Sequence, residues 1–364
     1  VPTSKARQVE SEVWMLRFGS PGEHQLDVLP SHVVGTPPVF EYHPFRSIDF
    51  KEQAYIRKQA AQRVAERIPT CGAEFFMDFA FMRASTSDYK QPNKHTDRIV
   101  TSYDGFSSHL IIVDSASRRV WAFLTKTKEP PLDILSAFMK KFGIGNGVIR
   151  TDQGGELARS AAYRTLMLDS FGYVVEPTGA DSPSQNGGAE IYNNTLAVKT
   201  RTLLYGAGLP AKFWSTALLH SVYLHNRLVH SATNKTPYEG WYGRKPDITH
   251  LKTFGSRVCV KRTGSRRCKL DRHDFTGIFL GYTATDQNII YLDLESGVVK
   301  SCHHAVFDEA WYLQPTRPPA AQLLYDLGLE ADTDPMTMSS PVLPTPPGTV
   351  SPITVPWPPP LTAP

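Results

Sequence analysis

Three absences bound what this chain can be. Its 364 residues hold only four cysteines, at 71, 259, 268 and 302, with no Cys-x-x-Cys pair. That excludes a disulfide framework and a complete zinc finger, and it points to a reducing compartment. No apolar run is long enough to cross a membrane, and no secretory signal or internal repeat is visible. The formal net charge is only +4, from 39 Lys and Arg against 35 Asp and Glu. A balance so close to neutral does not by itself announce a nucleic-acid partner.

The distribution of charge and proline says more than the totals. Between Lys199 and Arg272 stand 15 Lys and Arg against 3 Asp and Glu, a concentration that favours a polyanion. Residues 315–364 hold 14 of the 29 prolines with four acids and one Arg, the composition of a disordered linker with polyproline II character. A hydrophobic content of 41% suffices for an ordinary core, and the length allows two domains plus tails.

Along the chain, residues 1 to about 47 show no clear period. Residues 48–68 read as a basic helix with an apolar stripe at Ala61, Val64, Ala65 and Ile68. From about 73 to 230 strand-like and helical patterns alternate. HLIIVDSASRRVWAFLT is two β runs around a turn, PLDILSAFMKKFG is a helix ended by Gly143, and GYVVEPT is a further strand. A Gly/Ser/Pro segment at 178–188 reads as a mobile loop. From about 250 to 312 short β runs (SRVCVKR, GIFLGYT, NIIYLDL, VVKSCHHAVF) predict a small barrel or compact antiparallel module. The expected fold class is α/β, with a mixed sheet flanked by helices over 73–230. An irregular segment at 1–72 with one helix precedes it. A basic linker and small β module at 231–314 and the Pro-rich tail at 315–364 follow it.

Three carboxylates stand out by their settings. Asp78 lies inside the apolar run EFFMDFAFM, where alternation puts Met77, Phe79 and Phe81 on one face and Phe76, Asp78 and Ala80 on the other. A half-buried carboxylate there needs a cation, a donor or a proton. Asp152 ends the strand-like run VIRTD before two glycines, at the edge where open α/β sheets put ligands. Glu190 follows Gly187 and Gly188 and opens a helix on which Glu190, Asn194, Ala197 and Arg201 share a stripe. Brought together, the three would form a cage for divalent metal.

At RTDQGGE, SPSQNGGAE, LPAKFWSTALLHSVYLHNR, TPYEGWYGRKPDITHLKTFGS, KLDRHDFTGIFLGY and HHAVFDE, the chain resembles the integrase region of copia-type LTR-retrotransposon polyproteins. These blocks recur in order over residues about 74 to 312. The resemblance implies an RNase H-like core in which Asp78, Asp152 and Glu190 match the metal-binding DDE residues. It also implies Mg²⁺ or Mn²⁺ as cofactor, DNA ends and target DNA as partners, and a homo-oligomer working in the nucleus or in a cytoplasmic particle before integration. No membrane is involved. The interval from Asp152 to Glu190, 37 intervening residues, is close to the family's. Asp114, ending HLIIVD, is a rival for the first position but reads as a hairpin-turn residue. Gln185 and Asn186 are placed to hydrogen-bond a DNA end, and Asn194, Lys199 and Arg201 to meet its backbone.

The chain also departs from the family. The helix reads EIYNNTL where the family typically has a run like ERKNRTL, so Ile191, Tyr192 and Asn194 replace cations. The His-His-Cys-Cys module that usually precedes the core is missing, since Cys71 is the only cysteine upstream of Asp78. With no protease or reverse transcriptase segment, and Val1 first, the expectation is a fragment or decayed relic of a longer polyprotein. Two other readings stay open: a catalytically inactive DNA-binding or assembly module, and a metal-dependent RNase H-like hydrolase without joining activity.

Overall fold

The computed structural model describes residues 13–36, 70–86, 96–152, 155–178, 183–261, 274–283 and 288–310. The basic helix expected at 48–68 and the Pro-rich tail lie outside them. The chain divides into two compact units, and the second comprises residues 206–210 and those from Lys252 onward. Residues 231–251 belong to the first unit.

The first unit is built on a five-stranded sheet in the order β5-β4-β1-β6-β7. Its strands are β1 (Glu74–Phe81), β4 (Ser108–Asp114), β5 (Val120–Thr125), β6 (Gly147–Asp152) and β7 (Tyr173–Thr178). A separate pair, β2 (Arg83–Thr86) and β3 (Thr96–Ile99), forms a small antiparallel ribbon. The hairpin read from HLIIVDSASRRVWAFLT is β4 paired antiparallel with β5, and β4 pairs antiparallel with β1. On the other side β1, β6 and β7 run parallel. An antiparallel meander followed by two parallel strands, covered by helices, is the RNase H-like mixed sheet expected.

Alternation in β1 decides its faces. Phe75, Met77 and Phe79 are buried, while Phe76, Asp78 and Ala80 are half-buried. On the first face Phe75 meets Phe138 of helix α2 (Leu132–Phe142) edge-on at 5.3 Å, and Trp121 meets the same ring at 5.1 Å. Gly143 ends that helix as its spacing predicted. Short helices α3 (Glu156–Arg159) and α4 (Ala161–Thr165) follow β6, and Tyr163 donates its hydroxyl to the sulfur of Met77. The second face is met by helices α5 (Pro183–Ala207) and α6 (Trp214–His225). A last helix, α7 (Pro237–Tyr242), is opened by the Thr236 hydroxyl accepting from Glu239 N–H and closed by Gly243 at φ +70°.

Two expectations change here. Part of the N-terminal segment is ordered: α1 (Glu23–His32) follows a short helical stretch, and Trp14, Phe18, Leu26 and Leu29 are buried. Val34 makes a parallel bridge with Asp247, and His32 meets Glu239 at 3.2 Å. The period was invisible because these apolar groups are spread over two short helices joined by a turn. Second, α5 begins at Pro183 and runs through Gly187 and Gly188 instead of opening at Glu190. Proline suits a first helical position. Each glycine costs about 1 kcal/mol of helix propensity, and the buried stripe Tyr192, Leu196, Thr200, Leu203 and Ala207 further along the helix offsets that cost.

The second unit holds a five-stranded antiparallel sheet ordered β11-β10-β9-β8-β12. The strands are β8 (Arg257–Lys261), β9 (Asp274–Tyr282), β10 (Ile289–Asp293), β11 (Val299–Cys302) and β12 (Ala305–Asp308). Val258, Val260, Phe279, Ile289 and Tyr291 form its core, with Phe307 and Cys302 packed against them. It is the compact antiparallel module read from the short β runs.

Candidate active site

Register brings two of the three carboxylates together. In the parallel pair β1 and β6, Met77 stands opposite Thr151, so the next residues, Asp78 in the middle of β1 and Asp152 at the carboxyl end of β6, come level on one face of neighbouring strands. Asp78 is half-buried and Asp152 exposed. Burial pushes the Asp78 carboxyl up to about 6; a hydrogen bond from Asn193 opposes this and the nearby charge of Asp152 adds to it. Arg150 is the cation nearest in sequence to Asp152. Its guanidinium is bound to Glu74 at 2.5 Å and Glu176 at 3.2 Å.

Helix α5 approaches this pair through Asn193. Its Nδ2 donates to Asp78 Oδ2 at 2.7 Å, and its Oδ1 lies 3.2 Å from His109 Nε2 on β4. Glu190, three residues earlier on the helix, is exposed. Among the described residues no group of three His, Cys, Asp or Glu is arranged to hold a metal ion. The structure therefore sets Asp78 beside Asp152 and ties Asn193 to Asp78, with Glu190 exposed on the same helix.

Asp114, the rival, does another job. Fully buried at the end of β4, it accepts Gly72 N–H on Oδ1 at 2.8 Å, and Ser117 N–H and hydroxyl on Oδ2 at 2.7 and 2.6 Å. It pins the β4–β5 hairpin, as a turn residue does.

The residues proposed for DNA fall in three groups. Asn194 and Arg201 are exposed on the outward side of α5. Lys199 turns inward: its ammonium is desolvated, which draws it down to about 8, and its charge is felt by buried His225 of α6. The side chains of Gln185 and Asn186 lie outside the described ones. Tyr192, where the family has a cation, is 6% exposed, and its hydroxyl is 3.1 Å from His230 Nε2. It is a packing residue and not a vacant phosphate contact. Part of the basic stretch is likewise internal. Buried Arg227 stacks 3.4 Å from the centre of the Tyr223 ring, and Lys252 pairs with Glu309 at 3.3 Å. Exposed cations remain at Arg201, Lys235, Arg244, Lys245 and Lys261.

Sequence reasoning missed Asn193, His109 and Lys128. The charge of Lys128, in the loop after β5, reaches both Asp78 and His109. Asn193 was legible in principle, one turn beyond Glu190, but an amide between two polar neighbours carries no signal of its own. His109 sits in an apolar strand, where a lone histidine reads as core.

The sheet is mixed and RNase H-like, and it brings two acids level on adjacent parallel strands. No family model matches the chain. It is similar to the retrovirus-related Pol polyprotein from transposon TNT 1-94 of Nicotiana tabacum, 31% identical over 188 residues, which are 50% of this chain and 14% of that protein. The corresponding Pol polyproteins from transposons RE2 and RE1 of Arabidopsis thaliana are each 26% identical over 215 residues, 58% of this chain and 14% of theirs. Its homologues are thus Pol polyproteins of copia-type transposons, in keeping with the integrase region read from the sequence blocks, and the matched stretch spans a small part of their length. Among the described residues no helix is long and apolar enough to cross a membrane.

Proposed function

We propose that this chain is an integrase-type polynucleotidyl transferase, which binds DNA and cleaves and joins its phosphodiester backbone. The observation that carries this reading is the level pairing of Asp78 and Asp152 on one face, with the Asp78 carboxyl raised by burial and by its neighbour. A half-buried carboxylate whose charge is disfavoured by burial and by a neighbouring carboxylate suits a hard divalent cation, which relieves both the repulsion and the desolvation.

Asp78 and Asp152 would hold Mg²⁺ or Mn²⁺, with Glu190 as the third donor. When bound, the metal supplies Lewis acidity toward a phosphodiester and its attacking oxygen. Asn193 orients Asp78 by occupying Oδ2. Lys128 adds positive potential beside the carboxylates, where phosphate would approach. The outward Asn194 and Arg201 meet the DNA backbone, a contact that positions the duplex without reading its sequence. Water as nucleophile trims an end, and a DNA 3′-OH joins that end to a target. Such work belongs in the nucleus, on a homo-oligomer that holds two DNA ends.

A second reading, a DNA-binding or assembly module without chemistry, is favoured by one observation: Glu190 is exposed, and among the described residues no three His, Cys, Asp or Glu are grouped to hold a metal ion. One experiment separates the two. The full chain is incubated with supercoiled plasmid and 3′-OH oligonucleotides in Mn²⁺. Nicking or joining that disappears in Asp152→Asn supports the transferase. DNA binding with no metal-dependent product, from a chain with unaltered fold, overturns it.

A further inference from the structure

We propose that His109 is a positioning residue for this site, fixing the side-chain amide of Asn193 with its NH₂ toward Asp78. The inference rests on the reading of Asp78 as a metal-binding carboxylate. In the antiparallel pair of β1 and β4, Ala80 stands opposite His109 and Asp78 opposite Ile111, so His109 lies beside the Asp78 side of the strand, two residues further along. Three groups then line up: His109 Nε2, 3.2 Å from Asn193 Oδ1, and Asn193 Nδ2, 2.7 Å from Asp78 Oδ2.

The polarity of that line follows from what His109 can do. It is 2% exposed, with the Trp214 ring 6.0 Å away. Burial pushes the imidazole down to about 4, the Asn193 bond opposes this, and the charge of Lys128 adds to it. A neutral ring carries one N–H. Nδ1 is buried and has no hydrogen-bond partner among the described residues, so a proton there would be stranded while Nε2 and Asn193 Oδ1 met as two acceptors. With the proton on Nε2, His109 donates to Oδ1 and the amide has one orientation. The reverse orientation would set an amide oxygen against the carboxylate. The ring thus acts on Asp78 through Asn193, and it fastens helix α5 to the sheet about 4.5 Å, three residues of helical rise, from the level of Glu190.

The test uses the full chain with Mn²⁺ as probe. In the metal-free wild type, ¹⁵N imidazole shifts should report the Nε2–H tautomer, and an Nδ1–H tautomer overturns the proposal without any substitution. By calorimetry, His109→Phe, which fills the site but cannot donate, should weaken Mn²⁺ affinity on the order of tenfold, as outer-shell partners do. His109→Gln, which keeps a donor, should restore most of it. Asn193→Leu should weaken it at least as much as His109→Phe, and His109→Phe should add nothing in the Asn193→Leu background. Equal losses in the Phe and Gln variants, or losses that multiply in the double variant, overturn the route through Asn193. Failure of the metal-site reading itself looks different: Asp78→Asn would then leave Mn²⁺ affinity unchanged, while the tautomer still decides the role of His109.

Discussion

Asn193 Nδ2 stands 2.7 Å from Asp78 Oδ2, so the helix that carries Glu190 is tied to the central strand by an amide and a carboxylate. One Asp78 oxygen is thereby engaged from the helix side, and the position of α5 over the sheet edge depends on a polar contact.

Asp78→Asn and Asp152→Asn should each weaken Mn²⁺ binding by more than the roughly tenfold expected of an outer-shell partner, because each deletes a charged oxygen from a hard cation's shell. Calorimetry on chains with unaltered circular dichroism measures this. Glu190→Gln tells whether the exposed glutamate swings in: a comparable loss places it among the ligands, and unchanged affinity keeps it on the outer face of α5.

The raised Asp78 carboxyl has a consequence for stability. Its ordinary value is 3.8 and its folded value about 6, so the linked stability is full below 3.8 and lost as pH rises through 6. In the metal-free chain Asp78→Asn should therefore stabilise at pH 8, by up to on the order of 3 kcal/mol, and by less at pH 5. Urea unfolding at the two pH values reads the difference; an equal effect at both would show that Asp78 is not held in a protonation-sensitive setting.

Asp114→Ala should destabilise by about 3–5 kcal/mol, since it strands the buried Gly72 and Ser117 donors. The milder Asp114→Asn should fold and bind Mn²⁺ like the wild type. Loss of metal binding in Asp114→Asn, with binding kept in Asp78→Asn, would move the first ligand to Asp114.

Cations can be restored to α5 only where the helix faces solvent. Ile191 is 60% exposed and Asn194 is exposed, whereas Tyr192 is buried. Ile191→Arg with Asn194→Arg should tighten duplex binding and steepen the logarithmic salt dependence by about 0.9 for each additional phosphate neutralised. Arg201→Ala should flatten it. Tyr192→Lys should lower the melting temperature instead. Fluorescence anisotropy over a salt series measures the slopes, and no change in either arginine variant would show that this face does not meet DNA.

Sequence alone carried the sheet and its two strand carboxylates. The β1 alternation, the β4–β5 hairpin, the end of α2 at Gly143 and Asp152 as last residue of β6 all follow from local periods and breakers, which depend on neighbours a few residues away. Tertiary structure decided what depends on distant contacts. It set the start of α5 at Pro183 through two glycines, because packing further along the helix outweighs local propensity. It turned Lys199 and Tyr192 inward and left Asn194 outward, a rotation of the helix that no run of polar residues specifies. It joined His109, Asn193 and Asp78, residues on three elements whose hydrogen bonds span 84 and 115 positions of sequence. Identity and spacing fix which groups a chain owns, and only the register of strands and the rotation of a packed helix fix which of them meet.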